Sequence, residues 1–135
     1  MQTHVTFRST AFNCTEPKDH FINECCFGDD LARWLMRQLQ SDGVKTANEP
    51  GQEDFGWYFT YEAGGIEHCF VIGFQPNDPH SGDQWLGSIE RSTGLLGSIF
   101  GGRRRGISEE AIQVIDRALR SSTDIHDVTW HEEGV

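Results

Sequence analysis

Apolar and polar positions alternate at the start of the chain, in THVTFRST, with Val5 and Phe7 on one side and Thr6 and Arg8 on the other. A period of two predicts a β-strand with one buried face. A helical period replaces it further on. Leu31, Trp34, Leu35 and Leu39 recur at spacings of three and four, which predicts an amphipathic helix over 30–41. Asp29 or Asp30 is the expected N-cap, and Gly43 the expected stop. The intervening AFNCTEPKDHFINECCFG has neither period and reads as an unusually long loop.

After a polar, acidic connection, VKTANEPGQEDFG, the run WYFTYEAGGIEHCFVIGF reads as a β-hairpin turning at Gly64-Gly65. QPNDPHSGD, with two prolines, reads as a loop, and QWLGSIER as a short strand. A second helix is predicted over 109–121, with Ser108 as N-cap and Ile107 and Ile112 spaced for a hydrophobic staple. Its buried stripe is Ile112, Ile115 and Leu119, and DVTWHE follows as a last strand carrying Val128 and Trp130 on one face. The order β-α-β-β-β-α-β predicts one α+β domain over 1–135. Its expected architecture is a two-layer sandwich of about five mainly antiparallel strands with both helices on one face.

Charge adds the next constraint. The 135 residues carry 21 carboxylates against 11 Lys and Arg, a formal net charge of -10. Such a surface repels phosphodiester backbones and disfavours nucleic-acid binding. The imbalance is uneven: residues 45–90 are strongly acidic, whereas 91–106 contain four arginines and no carboxylate. The favoured partner is therefore another protein with a basic surface. Glu49, Glu53, Asp54 and Trp57 are candidate contacts on the acidic side, and Arg103, Arg104 and Arg105 form a separate basic lobe. Leu95, Leu96, Ile99 and Phe100, at four-residue spacing beside those arginines, are candidate contacts for a homodimer. The same stretch matches neither the phosphate loop Gly-x4-Gly-Lys-Ser/Thr nor the dinucleotide fingerprint. Glu109 and Glu110 would also repel an anion from the helix start that follows.

No apolar run approaches the length of a membrane span, and the N-terminus lacks the pattern of a secretory signal. A cytoplasmic protein with reduced thiols is the expectation. Cys14, His20, Cys25 and Cys26 share the long loop and are the candidate metal ligands. They lack a Cys-x2-Cys pair, so neither metal nor any other cofactor is assigned. Cys26 precedes a helix start, where a thiol can be activated, with His20 or His80 as a base. Asp29 and Asp30 oppose a thiolate there, and burial under Phe27 or Trp34 is the plainer role. Aromatic residues at 57–59, 70, 74 and 85 exceed what one core face needs. About half of them are expected on the open face of the sheet, as a contact surface. The favoured function is thus a non-enzymatic protein-binding module of the immunity or inhibitor type. A small thiol- or metal-dependent enzyme using the Cys14–Cys26 loop is the alternative.

Overall fold

The computed structural model describes residues 2–22, 26–54, 56–78, 82–91 and 106–132. Their order is β1 (Gln2–Arg8), α1 (Asp29–Ser41), β2 (Gly51–Glu53), β3 (Gly56–Ala63), β4 (Ile66–Asp78), β5 (Gly82–Arg91), α2 (Glu109–Arg120) and β6 (His126–Glu132). The strands form one antiparallel sheet in the spatial order β2-β3-β4-β5-β1-β6. The two helices touch each other, and both contact β3. The fold is the expected α+β sandwich, with six strands instead of five.

The sixth strand is β2, three residues that pair Gly51 with Tyr58 and Glu53 with Gly56. It lies in EPGQEDFG, where proline and glycine read as loop. Ladder partners on β3, distant from that local composition, make it a strand. QPNDPHSGD departs from expectation in the same way. β4 runs on to Asp78 and β5 starts at Gly82, with an irregularity in their pairing between Gln75 and Asp78. Gly64 and Gly65 do form the hairpin turn, with φ of 60° and 76° between the paired residues Ala63 and Ile66.

The core lies between sheet and helices. Trp57, Phe59 and Tyr61 of β3 stand opposite Ile72, Phe70 and His68 of β4, and Phe74 stands opposite Trp85 of β5. All but Phe74 are buried, and Phe74 packs against the core. The expected division of aromatic residues between the two faces is therefore corrected: of that set, Tyr58 alone turns away from the helices. Two helices spread over a six-stranded sheet leave a wide interior, and large rings fill it at high buried area per residue. Among the described residues, Leu86 at 37% exposure is the most exposed large apolar side chain of the opposite face.

α1 buries Leu31, Ala32, Leu35, Met36 and Leu39, leaving Trp34 half-buried. It ends as a Schellman motif, Gly43 N–H donating to Gln40 O and Val44 N–H to Leu39 O. Its start differs from expectation. The N-cap is Gly28, with no side-chain cap, so neither Asp29 nor Asp30 serves. α2 begins as expected on Ser108, whose hydroxyl accepts from Glu110 N–H at 3.1 Å. Its buried stripe is Ala111, Val114, Ile115, Ala118 and Leu119, while Ile112 sits half-buried at the edge. The proposed contacts Leu95, Leu96, Ile99, Phe100, Arg103, Arg104 and Arg105 lie outside the described residues, as do Cys25 and His80.

Candidate functional site

Residues 9–22 and 26–28 fold across the end of the sandwich where α1 begins. Asn13 forms their first corner, its side-chain oxygen accepting from Thr15 and Glu16 N–H while its own N–H donates to Asp30 at 2.8 Å. Further along, Gln52 of β2 donates to His20 O and accepts from Ile22 N–H. Three loop aromatics complete the attachment. Phe12 packs on Trp34, Phe21 lies edge-on to Phe27 and Trp57, and Phe27 reaches Phe74. Sequence patterning passed over these residues because they follow no period. An aromatic side chain isolated in a polar loop was the available signal that the loop packs back on the core.

This closure gathers carboxylates from separate segments. Arg33 bridges Asp29 at 2.9 Å and Glu49 at 2.7 Å, and His20 Nε2 lies 2.8 Å from Asp29. Glu53 ends β2 and Asp54 follows in the turn. Asp30 and Asp83 lie close enough to Cys14 to raise its pKa, after burial as the main cause. Asp54 and Asp29 act likewise on Cys26. Six carboxylates from α1, β2, β5 and the loops thus flank one end of the sheet. Glu49, Glu53 and Asp54 were identified from sequence; Asp29, Asp30 and Asp83 join them only through the fold.

Trp57, also a candidate contact, has a different position. It is 4% exposed and its indole N–H donates to Cys26 O at 3.0 Å, so it supports the site from beneath. Cys26 and Cys69 are placed for packing. Cys26 is fully buried, its thiol donating to Glu53 O at 3.2 Å and Gly56 O at 3.5 Å. Burial chiefly raises its pKa, against an opposing backbone hydrogen bond from Ile22. Cys69 on β4 is pushed up to about 12, first by burial and then by Glu90 and Glu67. A nucleophilic thiol needs the reverse, a site that stabilises its thiolate.

His20 is held by Asp29 and lies edge-on to Phe21 and Trp57, at 5.0 and 5.9 Å. Among the described residues, no group of three or more His, Cys, Asp or Glu is placed to hold a metal ion. Within the same residues no helix is long and apolar enough to cross a membrane. His68 on β4 is buried and structural. Its Nδ1 donates to Ile66 O at 2.9 Å, leaving Nε2 to accept from Ser108 N–H at 3.2 Å. No family model, curated protein or solved structure matches the chain.

Proposed function

We propose that this protein is a non-enzymatic binding module that docks onto a basic surface of another protein, in the manner of an immunity or inhibitor protein. The observation that carries this reading is the convergence of Asp29, Asp30, Glu49, Glu53, Asp54 and Asp83 at one end of the sheet. Arg33 is bound between two of them. Charges of one sign on a rigid surface steer a complementary partner and fix its orientation. Backbone and aromatic anchors hold the neighbouring loop against Asp30 and β2, which lowers the ordering cost of docking. The thiol-enzyme alternative is disfavoured by the raised pKa of Cys14, Cys26 and Cys69.

Affinity capture followed by cross-linking tests the proposal. The expected partner is basic, cross-links at this end, and is released by moderate salt. Glu49→Lys with Asp54→Lys should weaken its retention at least tenfold. A partner retained equally by the doubly substituted protein and mapped elsewhere would overturn the reading.

A further inference from the structure

The start of α2 is tied to the sheet residue by residue. Gly106, at φ 82°, lies so close to β5 that an added Cβ would stand 2.8 Å from Arg91 Nη1. Ser108 N–H donates to His68 Nε2 at 3.2 Å. Glu110 accepts the N–H of Gly64 in the β3–β4 turn, and Ala111 O accepts the Tyr61 hydroxyl at 2.9 Å. Among these ties, the imidazole is the group whose ordinary pKa lies near neutrality.

The partners of His68 fix its tautomer. A backbone N–H can only donate, so Nε2 presents its lone pair to Ser108. The ring proton is then on Nδ1, which donates to Ile66 O at 2.9 Å. A second proton must go to Nε2, where it meets the Ser108 N–H donor to donor. The surroundings do not compensate. His68 is fully buried, and across the ladder it stands between Tyr61 of β3 and Arg91 of β5. Burial disfavours a charged ring, and the Arg91 guanidinium adds to that, against the Ile66 hydrogen bond. Of the carboxylates in the first turn of α2, Glu110 is held by Gly64 N–H and Glu109 lines a groove beside Trp130. Glu67 and Cys69, its neighbours along β4, stand on the other face of the sheet.

We infer that His68 is a proton-operated latch: when Nε2 takes a proton, the start of α2 comes away from the β3–β4 hairpin while the rest of the sandwich stays folded. Burial of Ile107 beside the latch keeps it closed while the ring is neutral. The opening is local because Val114, Ile115, Ala118 and Leu119 anchor the later turns of α2 in the core. It reshapes a cleft of about 330 Å³ at the hairpin turn, whose lining includes Lys45, Glu62, Gly64, Glu110 and Arg117. That cleft adjoins the C-terminal end of α1, so the latch is independent of the acidic site at the other end.

Hydrogen exchange of the intact protein, followed by NMR between pH 7 and pH 4.5 and corrected for intrinsic exchange, tests the inference. At every pH the opening constant at the Ser108, Glu110 and Ala111 amides should exceed that of the β3–β4 ladder. It should also rise by up to about tenfold per pH unit below about pH 6.5. His68→Gln supplies an acceptor oxygen that does not titrate, and should abolish that rise. Amides at the start of α2 that open only together with the ladder would overturn the proposal. So would an opening constant that stays flat over this range, or an equal rise in His68→Gln. Should His68→Gln fail to fold, the wild-type constants decide the matter alone.

Discussion

The two helices of this protein begin in opposite ways. α2 starts on local chemistry: Ser108 caps it, Glu109 and Glu110 complement its positive end, and His68 accepts the N–H of the cap residue. α1 starts on Gly28, at φ 125°, with no side-chain cap. What fixes α1 is the space around that glycine. An added Cβ would meet Ile72 Cγ2 at 3.3 Å, Trp57 Cδ1 at 3.4 Å and Trp85 Cζ3 at 3.5 Å. The residue before α2 caps it with its own side chain. At α1 the residue before the helix packs closely against three strands, and Asp30 Oδ1 accepts the Leu31 N–H at 2.9 Å. The difference predicts which substitutions each start tolerates.

The largest effect is expected at Gly28. Gly28→Ala combines a backbone conformation that L-residues rarely adopt with contacts that leave the indole rings little room. Urea denaturation should show a loss of about 2–3 kcal/mol. A loss under about 0.5 kcal/mol would mean that the loop before α1 shifts easily, and the contrast between the two starts would collapse.

The same contrast explains what was legible in the sequence. Ser108, Glu109 and Ile107 announce α2 because its side-chain cap lies beside it in the chain, whereas His68 reaches it only through the sheet. α1 was placed nearly correctly by Leu31, Leu35 and Leu39, yet its cap was assigned to an aspartate. Gly28 is dictated by Ile72, Trp57 and Trp85, which are brought beside it only by the sheet. β2 was hidden for a related reason, since a three-residue strand is defined by its partner on β3. Within the candidate site, Glu49, Glu53 and Asp54 were visible as a cluster within a few residues of each other. Asp83 was not, because the distance from β5 to the loop at Cys14 carries no sequence period. The aromatic residues misled for a physical reason as well. Their number suggested a contact surface, but the volume between sheet and helices takes up all except Tyr58 of the strand set.

His68 sharpens the comparison from the α2 side. Replacing it by Leu leaves Ser108 N–H without its acceptor and should cost about 2 kcal/mol. Its pH dependence has a definite sign. Burial, opposed by the Ile66 hydrogen bond and assisted by the charge of Arg91, lowers the pKa of His68 from its ordinary value. The folded state therefore binds its proton less readily than the unfolded state. The stability it contributes is full above about pH 6.5 and is lost as pH falls through the lowered folded value. In His68→Leu that component of the slope should disappear, as measured by denaturation at several pH values. Equal slopes in both proteins would remove the imidazole from the account of α2.

Ser108→Ala should cost about 1 kcal/mol, since Glu110 N–H loses its acceptor at the solvent edge, where water partly replaces it. Ser108→Gly should lose only a few tenths, because glycine also suits a cap. Thermal unfolding of the two variants separates the hydrogen bond from the backbone preference. If both lose equally, the hydroxyl has no role in starting α2.

The smallest effect belongs to Asp29, which sequence reasoning had offered as a cap for α1. Its carboxylate pairs with Arg33 and His20 and lies in the first helical turn, but it receives no cap hydrogen bond. Both partners are substantially solvated, with side chains 43% and 55% exposed. Exposed pairs and a first-turn charge each contribute a few tenths of a kcal/mol, so Asp29→Ala should cost about 0.5 kcal/mol and less in high salt. The same substitution frees Glu49 to retain Arg33 alone and removes one charge from the acidic end, so partner binding should weaken more than folding does. A stability loss as large as that of Ser108→Ala would mean that α1 also depends on its polar end. Packing around Gly28 would then not be sufficient to start the helix.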